Sequence, residues 1–539
     1  MCGIWSYINK NTISSEKYKT LYNAFLEIVP RGPESSNFSK INDNLVLGFH
    51  RLAINGVNPL GNQPFIYLEN GKQYVFSICN GEIYNYKSLI SEHELITRTT
   101  SDCEVIPLLY IKYGNDICKY LDGEYAFIII DLDIETNKFK VITGRDPFGV
   151  RPMFYSQTDD SLAFCSELKG LSFSDKIEVY PPGVTMIYDG KNLVQLRFYS
   201  YDKLLTLEYG YGDIYGMIRN VFKNSVKKRL MSERPLGCLL SGGLDSSIVS
   251  AVTSTLVKDL HTFTIGLEGA TDIKYAEMVA KHIGSIHTTF IVTMEEALHA
   301  IDKVIYTIES YDCTTIRASV WQYLLGKKIR ENTDIKVLLT GEGSDELTSG
   351  YMYFHNTPSP EESHYENVRL LKDIHRFDGL RVDRAMACHG LEVRIPFLDP
   401  SFVELYLSLP KNLRVANGKG GRMEKQLFRD AFKDTKLLPL EVLYRKKEAF
   451  SDGTSSNEKS WFQIIQEHID TLISDEEFNK QKDIYDFNKP DTKEKYYYRK
   501  KFEEYFGSKS YEVIPYYWLP KWCGNVTEPS ARVLEVYKN

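Results

Sequence analysis

A short apolar run at residues 236–240 ends in Ser241-Gly242-Gly243-Leu244-Asp245-Ser246-Ser247 and passes straight into a helical pattern at 246–257. No other feature narrows the fold as much. Strand, glycine-rich turn and helix in that order form the repeating unit of a parallel sheet, because parallel neighbours need a long crossover between them. The surrounding text keeps the rhythm, with a helix at 214–230, a strand at 261–266, a helix at 273–283 and a strand at 335–339. An α/β domain with a parallel sheet is therefore expected over 201–539. Its part beyond about residue 400 reads as mainly helical, with surface loops at 452–459 and 480–494.

The first two hundred residues follow another pattern. Apolar segments at 45–51, 74–79, 125–132, 139–143, 162–165 and 184–188 are separated by turn residues, including Asn-Gly at 55–56, 70–71 and 80–81. Helical spacing interrupts at Leu21, Phe25 and Ile28, and again at Val105, Leu108 and Leu109, where Pro107 predicts a late start or a kink. Many strands and few helices predict a layered α+β sandwich over 1–200, followed by a Tyr-, Gly- and Leu-rich linker at 190–215. Two large domains suit a chain of 539 residues.

The totals exclude whole classes. With 65 Lys+Arg against 72 Asp+Glu the net charge is −7, and no basic stretch suggests nucleic acid. No apolar run approaches the roughly 18 residues of a membrane span, and residues 1–10 lack the layout of a signal peptide. Nine scattered cysteines, never spaced CxxC, argue against a disulfide framework or structural zinc and for a reducing, cytoplasmic setting. No HExxH or His-x-His occurs, so no histidine metal cluster is expected.

The 241–247 loop suits an anion. Glycines let backbone N–H groups converge, the helix N-terminus adds partial positive charge, and serine hydroxyls donate further bonds. Asp245 would repel phosphate unless it holds Mg²⁺. The same residues also fit a plain strand–helix turn with a serine cap, and the Walker pattern is absent. At the other end, Met1-Cys2-Gly3-Ile4-Trp5 places a cysteine second. Excision of Met1 would leave Cys2 with its own α-amine as base for its thiol. Taken alone, such a cysteine is better read as a small buried residue.

Its neighbours reverse that reading. Met1–Trp5 together with Arg31-Gly32-Pro33-Glu34, Gly48-Phe49-His50-Arg51-Leu52, Asn80-Gly81-Glu82-Ile83-Tyr84-Asn85, Ser101-Asp102-Cys103-Glu104, Asp122-Gly123 and Gly144-Arg145-Asp146-Pro147-Phe148-Gly149 resembles the glutamine amidotransferases with an amino-terminal nucleophile. That resemblance implies an α/β/β/α sandwich. The 241–247 loop resembles the pyrophosphate loop of the ATP pyrophosphatases. Leu338-Leu339-Thr340-Gly341-Glu342-Gly343-Ser344-Asp345-Glu346-Leu347 is similar to the second signature of the asparagine synthetases. So are Arg384-Ala385-Met386 with Glu392-Val393-Arg394, Gly421-Arg422-Met423-Glu424-Lys425, Arg445-Lys446-Lys447-Glu448, Trp518-Leu519-Pro520 and Pro529-Ser530-Ala531-Arg532. The likeness runs through essentially the whole chain.

The resemblance implies roles. Cys2 is the nucleophile, and the Asn80 side-chain amide and Gly81 N–H stabilise the oxyanion. Arg51 grips the glutamine α-carboxylate, while Glu82 and Asp102 receive its α-ammonium. Ser241, Gly242, Gly243, Asp245, Ser246 and Ser247 hold the pyrophosphate end of ATP, with Gly341 and Gly343 beside them. Leu240 and Ile265 flank the adenine, and Gly266 admits the backbone. Asp245 and Asp345 contact Mg²⁺, Lys447 neutralises phosphate charge, and Glu342 is the base for the attacking ammonia. Asp272 and Asp378 match further acidic positions near this site. Singly, Arg51 and Asp102 read as a surface ion pair, and Glu342 and Asp345 as helix-capping carboxylates.

The implied reaction hydrolyses glutamine, adenylates aspartate with ATP, and passes ammonia through an internal tunnel to displace AMP. Glutamine, aspartate and ATP are then the partners, without nucleic acid or membrane, and a homodimer is compatible. Two alternatives stand beside it. The acceptor is another carboxylate, as in the related β-lactam synthetases, or the chain is a sensor that has lost turnover. Retention of Cys2, Asp245 and Glu342 speaks against the sensor. Departures from the family are Glu34 for the usual aspartate, Ser6-Tyr7 near the start, and Thr348-Ser349 where Phe-Gly is usual. Cys79 and Cys103 are expected to pack in the core, Cys388-His389 in the core or on the surface, and Tyr84 and Tyr86 on a sheet face.

Overall fold

Short, mostly apolar segments, several of them buried on both faces, build the first part of the chain, seen here in a computed structural model that describes residues 1–539 except 202–211, 417–420, 449, 455–458, 509 and 536–539. Its strands are β1 (Gly3–Asn9), β2 (Ser35–Asn42), β3 (Leu45–Arg51), β4 (Phe65–Glu69), β5 (Gln73–Ile83), β6 (Gly123–Asp133), β7 (Phe139–Arg145), β8 (Phe154–Gln157), β9 (Ser161–Cys165), β10 (Glu178–Val179), β11 (Val184–Tyr188) and β12 (Leu193–Arg197). They form two antiparallel sheets, ordered β10-β8-β9-β1-β3-β2 and β12-β11-β7-β6-β5-β4. Ile4, Leu47 and Phe49 of one sheet meet Ile78, Ile128 and Val141 of the other. The helix Ser15–Leu26 covers the first sheet, with Leu21 and Phe25 packed on Trp5 and Val46. The helix Val105–Tyr113 covers the second, with Val105 and Leu109 on Val75, Phe127 and Ile129. The layers are the α/β/β/α order expected. Pro107 sits in the first turn of its helix, where its missing N–H donor costs no intrahelical bond.

Several local expectations fail for physical reasons. Asn70-Gly71 does turn the β4–β5 hairpin, both residues with positive φ. Asn80-Gly81 instead lies inside β5, paired with β6. The 190–215 stretch is not all linker, because β12 pairs with β11. Tyr84 leaves the sheet and lies between the guanidinium groups of Arg229 and Arg394, at 5.0 and 5.8 Å, and Tyr86 opens the helix Tyr86–Glu92.

In the second part, β13 (Leu236–Leu239), β14 (His261–Gly266), β15 (Ile286–Ile291), β16 (Val337–Leu339) and β17 (Glu392–Arg394) form one parallel sheet ordered β15-β14-β13-β16-β17. The helices Leu244–Ser254, Thr271–Ile283 and Cys313–Asn332 make crossovers. Beyond residue 400 the described structure is helical. Of the expected surface loops, 480–493 is mostly exposed or half-buried as expected, 455–458 lie outside the described residues, and two positions are built in. Asp452 is buried in the short helix Phe450–Gly453, and Glu494 is buried in the helix Lys493–Phe506, 2.5 Å from Arg317. Among the described residues, no helix is long and apolar enough to cross a membrane.

Buried ion pairs join the two parts. Glu124 of β6 accepts from Arg151 at 3.0 Å, from Arg229 at 2.8 Å and from the Ile395 N–H at 3.1 Å. Arg31 bridges Glu167 and Asp383, both at 2.8 Å, and Glu309 meets Arg384 at 2.9 Å and Lys169 at 3.1 Å. Removing one member strands its buried partners. Glu124→Ala is expected to lower unfolding stability by about 3–5 kcal/mol, measured by denaturant titration, whereas an unchanged midpoint would show that these charges do not hold the interface.

Candidate active sites

Cys2 lies where the chain enters β1, and its side chain lines a cleft with Arg51, Leu52, Asn55, Gly81, Glu82, Asp102 and Glu392. Its Sγ donates to the Leu52 carbonyl at 3.6 Å. Burial pushes the thiol up to about 11, against the pull of the nearby amino terminus. A buried thiol of this kind needs a base beside it to become a nucleophile.

Asn80 is fully buried, and neither side-chain atom has a hydrogen-bond partner among the described residues. Asn80 is not among the residues that line the cleft, although Cys79, Gly81 and Glu82 on either side of it are. Gly81 has φ +153, and a Cβ there would lie 2.2 Å from the Glu124 carbonyl oxygen, so only glycine fits.

Arg51 is no surface residue. It is buried, and its guanidinium donates to the Asn58 carbonyl at 2.9 Å, to Asn62 Oδ1 at 2.8 Å and to the Gly56 carbonyl. Asp102 is also buried and accepts the Ile83 N–H at 2.7 Å, and burial raises it to about 6. Glu82 accepts from Asn55 and lies 3.3 Å from Arg394. Burial, then the nearby Asp102, raises its carboxyl above the usual range. Two residues of this cleft were not foreseen: Glu392 lines it, and Arg394 of the same strand β17 faces Glu82. Cys79 and Cys103 pack in the apolar cluster beneath the sheet as expected, and also border the cleft.

A second cleft, about 1580 Å³ with its open mouth, lies at the C-terminal ends of β13, β14 and β16, where ligands of open α/β sheets gather. Leu240, Ser241, Gly243, Asp245, Ser246, Ile265, Asp272, Gly341, Glu342, Gly343, Asp345, Asp378 and Lys447 all line it. Three expected residues do not. Gly242 has φ +74 and turns against the helix Thr271–Ile283, where a Cβ would lie 2.4 Å from the Ala276 nitrogen. Ser247 is fully buried, and Gly266 faces Ala270 and Ile273.

The electrostatics centre on two carboxylates and two lysines. Lys425 Nζ lies 2.6 Å from both Asp245 and Asp345, and Lys447 Nζ lies 2.5 Å from Asp345 and 3.6 Å from Asp245. Burial pushes Asp345 up, but the two lysines outweigh it and hold the carboxyl well below the usual range. Lys447 is raised, its burial outweighed by Asp345 and Asp245. The Gly421–Lys425 motif does not by itself reveal this role, because the partner Asp245 is 180 residues away in sequence.

Glu342 makes no cap bond to the following helix. It accepts from Gln322 and from Arg381, each at 2.7 Å, and burial raises its carboxyl despite Arg381. Arg381 also pairs with Asp378, and the Tyr351 hydroxyl lies 2.7 Å from Glu346 and 3.0 Å from Asp378. Asp272 meets Arg445 at 2.8 Å, and burial lifts it to about 6.

A thiol-bearing cleft on a layered sandwich, and an anion-suited cleft at the strand ends of a parallel sheet, define a two-site chain of the amidotransferase-linked class. The comparisons agree. The glutamine amidotransferase domain family matches residues 1–208, and the asparagine synthase family matches 217–367 and 356–513. The chain belongs to the asparagine synthase family. It is 43% identical over 577 residues to "Asparagine synthetase [glutamine-hydrolyzing]" of Gallus gallus, covering 100% of this chain and 99% of the relative. It is 42% identical over 575 residues to the proteins of that name from Mus musculus and Homo sapiens, with the same coverage. A solved B. subtilis glutamine phosphoribosylpyrophosphate amidotransferase aligns at TM-score 0.31 and 14% identity over 54% of this chain and 91% of its own.

Lys425→Met leaves Asp245 and Asp345 facing each other with only Lys447 between them. Synthesis at the second cleft is expected to fall by about 10²–10³-fold, with glutamine hydrolysis retained. Steady-state assays of the two activities check this, and equal losses in both would contradict it.

Proposed function

We propose that the chain makes asparagine from aspartate, glutamine and ATP, with residues 1–200 as the glutaminase and 201–539 as the synthetase. The observation that supports this most directly is the second cleft. Ser241, Gly243, Asp245 and Ser246 of the loop, with Glu342, Asp345 and Lys447 far along the sequence, all line it.

Once Met1 is removed, the α-amine of Cys2 takes the thiol proton and the thiolate attacks the glutamine amide carbon. The Asn80 amide and Gly81 N–H stabilise the oxyanion, ammonia leaves, and water clears the thioester. Arg51 grips the substrate carboxylate, and Glu82 and Asp102 receive its ammonium. In the second cleft the aspartate β-carboxylate attacks the α-phosphorus of ATP, pyrophosphate leaves, and β-aspartyl-AMP forms. Leu240 and Ile265 flank the adenine. Lys447 and Lys425 offset the negative charge of the phosphates. Ammonia then adds to the activated carbonyl, Glu342 takes the surplus proton, and AMP departs.

Two lining carboxylates of hard oxygen donors suit Mg²⁺, which takes one or two carboxylates together with substrate phosphates. Asp245 and Asp345 are the residues that would hold it. When bound, the ion would supply charge neutralisation to the phosphates.

Purified protein given glutamine, aspartate, ATP and Mg²⁺ is expected to release asparagine, glutamate, AMP and pyrophosphate. ADP and phosphate instead would sink the adenylation step, and AMP without asparagine would point to another acceptor. Cys2→Ala should lower glutamine-dependent synthesis by at least about 10³-fold and leave synthesis from added ammonia intact. Loss of both together would refute the division of labour. Asp102 carries its charge only above about pH 6, so the KM for glutamine should rise as pH falls through that value. A KM flat from pH 8 to pH 5.5 would remove Asp102 from the ammonium site.

A further inference from the structure

The backbone of residues 53–58 is held from two sides. On one side it fixes Arg51, through the Gly56 and Asn58 carbonyls. On the other it meets residues from just before β13. The Glu233 carboxylate accepts the N–H groups of Gly56 at 3.0 Å and Val57 at 3.2 Å, and the Glu233 N–H donates to the Ile54 carbonyl at 3.1 Å. Arg234 Nε donates to the Ala53 carbonyl at 2.9 Å. Its Nη2 lies 3.5 Å from Glu34 Oε1, whose other oxygen accepts the Ala53 N–H at 2.8 Å. Glu34, a methylene longer than the aspartate usual in the family, thus touches both Ala53 and Arg234.

The segment has little freedom to move elsewhere. Gly56 has φ +59, and a Cβ there would lie 2.6 Å from the nitrogen of Ser101, the residue before Asp102. A shift of 53–58 would therefore displace Arg51 and the cleft wall beside Asp102 together. Glu233 and Arg234 do not themselves line the glutamine cleft. A carboxylate accepting two backbone N–H groups is a charge-assisted contact, stronger than neutral ones.

We propose that Glu233 and Arg234, outside the amidotransferase sandwich, are positioning residues for glutamine recognition: they hold residues 53–58 so that Arg51 presents its guanidinium to the substrate α-carboxylate. This rests on the assignment of Arg51 made above. The same residues run through β13 into the 241–247 loop, so they also tie the glutamine cleft to the strand that carries the nucleotide cleft.

The test compares hydrolysis of glutamine with that of 4-aminobutanamide, the same amide lacking the α-carboxylate, in the full-length chain. Glu233→Ala is expected to reduce the preference in kcat/KM for glutamine over this analogue by about tenfold, through KM. Hydrolysis of the analogue and synthesis from ammonia should stay unchanged. Glu233→Asp should recover part of the preference. Arg234→Lys, which keeps the charge near Glu34 but loses the Nε donor to Ala53, should show a smaller fall. An unchanged preference in Glu233→Ala, or an equal loss in ammonia-dependent synthesis, would overturn the proposal. If the wild-type chain shows no preference for glutamine over the analogue, the Arg51 assignment itself fails.

Discussion

The arrangement of this molecule depends on charges buried between its two parts. Glu124, on a central strand of one sandwich sheet, is satisfied only when Arg151, Arg229 and the Ile395 N–H all reach it. Arg31 needs Glu167 from its own part and Asp383 from the other. Such groups are poorly tolerated unless fully paired, so they specify one docking geometry more than they add stability. That geometry brings β17 against the first cleft, with Arg394 opposite Glu82 and Glu392 in the wall. The first cleft is thus finished by residues far along the chain.

The second cleft shows the opposite balance. Its carboxylates and lysines are matched to one another, with Lys425 and Lys447 drawn towards Asp245 and Asp345. Polyanionic phosphates entering this cleft would compete for the same lysines. The β16–β17 pair carries the link between clefts, since the Thr340 N–H donates to the Arg394 carbonyl at 3.1 Å, two residues before Glu342.

Much of the fold was legible where an apolar run was long enough to stand out. The strands β3, β5, β6 and β7 carry such runs between turn residues, and the β13 turn announced a parallel sheet. The two-residue β10 and three-residue β17 carry no period at all, and β2 is too polar to stand out. The linker reading missed β12, and the loop reading missed Asp452 and Glu494, because tertiary partners overrode local composition there, as Arg317 did for Glu494. Of the clefts, short contiguous motifs were readable. Lys425, Arg381 and Glu392 were not assignable, because their chemistry comes only from partners brought in by the fold. Gly242, Ser247 and Gly266 show the converse: motif membership placed them at the ligand, but packing puts them behind the wall.

The central claim is that two clefts joined across a charged interface act as one enzyme. The most direct measurement supplies glutamine labelled with ¹⁵N at its amide, together with an excess of unlabelled ammonium, and reads the isotope in asparagine. The account predicts asparagine labelled well above the diluted ammonium pool. Labelling equal to that pool would mean that ammonia escapes to solvent between the clefts, and would contradict it.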